Sequence, residues 1–190
     1  MNWRNEIEKY LPYNEQELKD KEVILEAGKS FDNLLTRENK IMHMTSSGYI
    51  VNKTRDKVLM IYHKIYDSWA WTGGHADGDG DFLRVAIKEA KEETGAKNIT
   101  PVDENIISVD VITVDGHVKR GEYVSSHLHL NVTYLLEANE DEALVVNEEE
   151  TKGVKWIPID ELSSYCSEPY MVENIYNKIN EKINRIGGVY

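Results

Sequence analysis

The chain holds a single cysteine, Cys166, among 190 residues. One thiol excludes an internal disulfide and suits a reducing compartment. There is no run of about 18 apolar residues, so no segment reads as a membrane-spanning helix. The opening Met-Asn-Trp-Arg-Asn-Glu-Ile-Glu lacks the apolar core of a secretory signal. Cytoplasmic localisation is therefore the expectation. Positive charge is also scarce: 22 Lys and Arg face 34 Asp and Glu, for a net charge of −12. The acidic residues are spread along the chain, which argues against nucleic-acid backbones and anionic membranes as partners. Repeats, low-complexity tracts and an interdomain linker are all missing.

With 41% hydrophobic residues, the chain is long enough for one domain plus an extension. Residues 1–41 read as a helical extension. Trp3, Ile7 and Leu11 recur at helical spacing until Pro12, and Asn14 with Glu17 resembles a helix cap and its reciprocal partner. Leu18, Val23, Ile24, Leu25 and Ala27 supply apolar surface up to a stop at Gly28, and Phe31, Leu34 and Leu35 suggest a further short helix. This extension is expected to serve packing or dimerisation, which makes a second copy of the chain a candidate partner.

From Met42 the apolar period changes to that of strands. Residues 42–51 and 58–63 flank a polar turn, and 106–114 is strand-like up to the Asp115-Gly116 turn. A long alternating strand over 124–136 puts Ser125, His127, His129, Asn131 and Thr133 on one face. A last amphipathic helix over 170–186 carries Val172, Ile175, Ile179 and Ile183 on its stripe. The expectation is one mixed-sheet domain over 42–187.

The most informative stretch is Gly73-Gly74-His75 through Gly95, read as a glycine loop, an acidic turn, a helix and a glycine stop. Leu83, Ile87, Ala90 and Thr94 fall on one side of that helix, the expected buried stripe. Glu89, Glu92 and Glu93 share another side at i, i+3, i+4. Like charges at that spacing repel by a few tenths of a kcal/mol each, roughly. They also sit near the C-terminal end, where the helix dipole disfavours anions. Stability alone would place them elsewhere, so a divalent cation is the natural counter-charge. Asp77-x-Asp79-x-Asp81 fails as an EF-hand, because Phe82 and Lys88 stand where that loop needs Gly and Glu. Asp79 or Asp81 is expected to cap the helix instead.

These residues resemble the box of the Nudix, or MutT-like, hydrolase family, Gly-x5-Glu-x7-Arg-Glu-U-x-Glu-Glu-x-Gly-U with U apolar. Gly74, Glu89, Ala90, Glu92, Glu93, Gly95 and Ala96 match it. Two positions depart: Gly80 replaces the first Glu, with Asp79 and Asp81 beside it, and Lys88 replaces Arg. Lysine cannot make arginine's forked contact to a carboxylate. Val154-Lys155-Trp156-Ile157-Pro158 resembles the segment that closes many Nudix domains.

The resemblance implies an α/β/α sandwich with a mixed sheet, and hydrolysis of a pyrophosphate bond in a nucleoside diphosphate linked to another moiety. It implies Mg2+ or Mn2+ held by Glu89, Glu92 and Glu93, with Glu148, next to Glu149 and Glu150, as a further catalytic carboxylate. An acidic chain can take such a substrate, because bound Mg2+ reverses the local field. Gly73 and Gly74 would bring the helix to the site. Trp71, Arg120, His127 and His129 are the candidate substrate contacts, although packing in the core is the more frequent outcome for a tryptophan placed like Trp71. His127 and His129 share a face; with no third Cys or His close in sequence, a structural zinc site is not expected. Two other outcomes are a Nudix fold that binds without catalysis, and an isopentenyl-diphosphate isomerase. The isomerase requires a cysteine before the helix, whereas Cys166 lies far after it.

Overall fold

A computed structural model describes residues 2–65, 67–119, 121–147 and 151–187. Two helices open the chain, α1 over Trp3–Lys9 and α2 over Glu15–Ser30. Strands β1 (Met42–Val51), β2 (Lys57–His63), β3 (Ser68–Ala70) and β4 (Thr72–His75) lead into α3 (Phe82–Thr94). Next come β5 (Thr100–Val114), a hairpin of β6 (His117–Lys119) and β7 (Glu122–Val124), and β8 (His127–Glu137). After β9 (Thr151–Pro158), a short turn and α4 (Leu162–Tyr165), a π-type segment Met171–Tyr176 runs into α5 (Asn177–Gly187).

The main sheet has the order β3-β2-β1-β8-β5, with β9 on the free edge of β2. β1 and β8 run parallel and the other pairs antiparallel, so the sheet is mixed. β1 and β2 pair only at Ile50–Leu59 and Val51–Val58. Where they diverge, the chain through Trp71 wedges between them, β3 pairing with β2 and β4 with β1. Residues alternate across a strand, and two cores follow from that. Met44, Ile50, Leu130, Val132, Tyr134 and Leu136 face α1, α2 and α3. Tyr49, Val51, Val58, Met60 and Leu135 face Ile175, Ile179 and Ile183 on the other side. The sheet is thus covered by helices on both faces, as an α/β/α sandwich requires.

Several local expectations need correction. Leu11 lies outside α1 and is 86% exposed. Asn14 caps α2 by accepting the Glu17 N–H (2.9 Å), but the Glu17 side chain turns inward to other partners. α2 continues through Gly28, whose missing side chain admits the Trp3 ring and whose carbonyl accepts from Arg4 Nε. Residues 31–41 form turns rather than a helix, tied to the sheet by Met44 N–H to the Leu34 carbonyl. The long alternating strand breaks at Ser125 and Ser126, and the hairpin β6–β7 folds out before β8 begins.

A cluster of buried charge links the two ends of the chain. Glu17 of α2 accepts from Lys182 (2.6 Å), Tyr10 Oη (2.6 Å) and the Tyr13 N–H (2.7 Å). Beside it Lys178 Nζ donates to Asp110 of β5 at 2.5 Å. Glu17, Asp110 and Lys178 are all buried. A buried charge survives only with partners of opposite sign, and each ion here has one.

Candidate functional site

The two glycines of the motif lie in β4, not in a loop. Gly73 pairs with Ser47 and Gly74 with Ser46 on β1. A Cβ at Gly73 would meet Ser47 Oγ at 2.5 Å, and one at Gly74 would come within 2.6 Å of Glu89 Oε2. The bareness of Gly74 lets α3 press against the strand, while that of Gly73 leaves room for Ser47 of β1. The buried face of α3 is Phe82, Val85, Ala86, Ala90, Glu93 and Thr94, with Leu83 and Ile87 at its margin. The expected stripe is therefore rotated towards Phe82, because α3 packs on β4 and β1 together. Asp81 caps the helix by accepting from the Arg84 N–H (3.0 Å), and Asp79 takes the Arg84 guanidinium through both oxygens. Gly95 ends it in the left-handed region (φ 71°), donating to the Lys91 carbonyl.

The three glutamates are placed differently. Glu93 is buried and accepts from the Gly73 N–H at 3.0 Å. Glu89 is half-buried against Gly74, and the Glu92 side chain is exposed. Lys88 donates to Glu89 (3.0 Å) and pairs with Glu92 (3.2 Å), and those two contacts raise its ammonium above the ordinary lysine range. A Cβ added at Gly80 would meet Trp3 and Leu35 at ordinary contact distance.

All three glutamates line a cleft of about 830 Å3, within the size range of small-molecule sites. Its floor is polar: Asn131 Oδ1 accepts from both Thr45 and Ser47, each at 2.9 Å. Arg37, Lys40 and Lys119 line it too, so an acidic chain still brings cations to this opening. Asn147 also lines it, and is the last described residue before Glu148, Glu149 and Glu150. Those glutamates and Arg120 lie outside the described residues. Trp71 contributes to the cleft wall, and its ring packs on Tyr176 with centroids 5.5 Å apart. Cys166 is buried in the second core, which pushes its thiol up to about 11. A thiol so placed is inert as a nucleophile.

His127 and His129 lie on the cleft wall, their Nε2 atoms 3.2 Å apart. The fold adds two histidines that sequence reading missed. Parallel pairing sets His43 of β1 beside His129 of β8, and antiparallel pairing sets His75 of β4 opposite Thr45, diagonal to His43. Ligand nitrogens of His43, His75 and His129 all lie within 4.8 Å of one another. Burial, then the neighbouring His43, push His75 down to about 3, and burial with its His neighbours pushes His129 to about 2. The expectation that no third histidine is near is overturned, since strand register brings residues far apart in sequence onto one face.

A mixed sheet with helices on both faces and a polar cleft edged by helical carboxylates defines an α/β protein built around a small-molecule site. The chain belongs to the Nudix family: the family model of the NUDIX domain matches residues 42–179. A NUDIX-family hydrolase from Clostridium perfringens is similar at 27% identity, covering 76% of this chain and 97% of that one, with a TM-score of 0.52. The fold also matches a C. elegans Ap4A hydrolase (16% identity, 76% and 98% covered, TM-score 0.51). An E. coli dihydroneopterin triphosphate pyrophosphohydrolase is similar too (14%, 75% and 95%, TM-score 0.53). No curated protein matches the chain. Among the described residues no helix is long and apolar enough to cross a membrane.

Proposed function

We propose that this chain is a divalent-metal-dependent hydrolase of a pyrophosphate bond in a nucleoside diphosphate linked to another moiety. The observation that carries this reading is the convergence of Glu89, Glu92 and Glu93 on a cleft that Arg37, Lys40 and Lys119 also line. Carboxylate oxygens suit Mg2+ or Mn2+, and the Lys88 ammonium already bridges Glu89 and Glu92, so the site attracts positive charge. Such an ion supplies phosphoryl charge neutralisation and a more acidic water. The basic side chains bind the phosphates, and the Thr45-Ser47-Asn131 floor orients what lies above it. Lys88 holds Glu89 in place, and Glu93, fixed by the Gly73 N–H, sets the end of α3 against β4. Glu148, or a box glutamate, takes the proton from the attacking water. Trp71, Arg120, His127 and His129 complete the proposed substrate contacts. Residues 42–187 form the hydrolase domain in this reading. Leu11, Leu18 and Val23, exposed on the 1–41 extension, offer a surface for a second copy of the chain.

A screen of diphosphate compounds with Mg2+ and Mn2+ tests the reading, with Glu92→Gln and Glu93→Gln as controls. Metal-dependent turnover that falls at least tenfold in both variants supports it. Turnover indifferent to both substitutions, or none at all, overturns it. A second reading is nucleotide binding without turnover. It draws on Lys88 occupying two of the three carboxylates, and saturable binding with no product would favour it.

A further inference from the structure

The glutamates are not where ligand atoms converge most tightly. Among the described residues, the group of three whose ligand atoms all lie within 4.8 Å of one another is His43, His75 and His129. We propose that these three histidines form a second metal site, distinct from the carboxylate site, that takes a divalent transition ion of the Zn2+ type.

Three lines of geometry support it. The first is ring spacing. With metal–nitrogen bonds of about 2.0 Å, imidazoles on a tetrahedral ion have centroids about 5 Å apart. The observed separations are 4.9 Å for His43–His75, 5.1 Å for His43–His129 and 5.1 Å for His75–His129.

The second is tautomer. His43 is buried, and its Nδ1 lies 3.1 Å from the Asn39 carbonyl, which can only accept. Nδ1 therefore carries the proton and Nε2 a lone pair. That Nε2 is buried and has no hydrogen-bond partner among the described residues. A buried acceptor without a donor is unfavourable, and a metal bond would satisfy it. A histidine ligand typically donates its other N–H to a carbonyl or carboxylate, as His43 does.

The third is the support of His129. His127 Nδ1 lies 2.8 Å from the Ser125 carbonyl, so its proton is on Nδ1 and its Nε2 is free to accept from His129 Nε2 at 3.2 Å. His127 is thereby the positioning residue of His129. It also leaves His129 Nδ1 as the ligating atom.

Imidazole nitrogens favour Zn2+, Cu2+, Ni2+ and Co2+ over Mg2+, so the two sites differ in the metals they select. Three nitrogens leave a fourth position, and the rings line the cleft, so that position opens to a ligand there.

The test is titration of the full-length, chelator-treated protein with Co2+ in excess Mg2+, which keeps the carboxylates supplied with their own ion. The expected result is one Co2+ per chain with the visible absorption of a tetrahedral complex, displaced by one equivalent of Zn2+. His75→Gln and His129→Gln should each weaken binding at least tenfold, and Glu92→Gln should leave it unchanged. In the wild type, Zn2+ should also shift the 15N resonance of His43 Nε2, a readout that needs no variant to fold. No tetrahedral Co2+ spectrum, an unmoved His43 resonance, or binding lost in Glu92→Gln and kept in His129→Gln overturns the proposal.

Discussion

Glu89 lies flat against Gly74, so close that a β-carbon on residue 74 would come within 2.6 Å of its Oε2. The glycine is thus a seat for the carboxylate. Gly74→Ala would drive the Glu89 side chain off the strand, while the backbone of β4 keeps its pairing with β1. Because Glu89 is the flexible partner, the expected loss of thermal stability is small. Turnover of the substrate returned by the diphosphate screen should drop at least tenfold, roughly 1.4 kcal/mol of barrier. Unchanged turnover in the folded variant would show that the position of Glu89 does not matter.

Glu93 separates shape from charge. Its carboxylate is buried and accepts the Gly73 N–H at 3.0 Å. In Glu93→Gln the amide oxygen still accepts that bond, so urea denaturation should change little while turnover falls by about a hundredfold, the scale of a lost charged group in such a site. Glu93→Ala leaves the amide of Gly73 unpaired, which should cost a further 1–3 kcal/mol or so of stability. Equal stability of the two variants would contradict the structural role of this bond.

The motif, the sheet and the closing helix were legible because each rests on local spacing. The Asp81 cap, the Gly95 stop and the Val172-Ile175-Ile179-Ile183 stripe are all set by residues a few positions apart. What stayed hidden depends on register. Nothing near His43 in the chain announces that β1 will lie parallel to β8 with His129 beside it. The inward turn of Glu17 was hidden for the same reason: its partners Lys178 and Lys182 come from the far end of the chain. A capping pair was the simpler local reading.

The N-terminal extension shares the core of the Nudix domain. Trp3 is 5% exposed, lies 6.0 Å from the Phe82 ring of α3, and fits over Gly28. Trp3→Ala should cost about 3–5 kcal/mol, as large cavities do. Phe82 begins the helix that carries the glutamates, so a chain starting at residue 42 should also lose turnover. Wild-type melting behaviour in that truncated chain would show instead that the extension is dispensable.

The buried charge at Glu17 makes a prediction about acid. Burial alone would raise its carboxyl, but hydrogen bonds from Lys182 and Tyr10, together with the Lys182 charge, outweigh that and hold it below the usual range. The unfolded chain therefore takes up this proton at a higher pH than the folded one. The stability that Glu17 contributes is complete above the ordinary carboxylate range, near pH 4.3 or so, and is lost as pH falls through the lowered folded value. Glu17→Gln leaves Lys182 without its anion and removes a partner of Lys178. It should cost about 3–5 kcal/mol at neutral pH, the usual result of breaking a buried pair. Urea midpoints measured from neutral pH down into the acid range check both parts. The wild-type curve should fall towards that of Glu17→Gln as the carboxylate protonates, whereas parallel curves would mean that Glu17 titrates alike in the folded and unfolded chain.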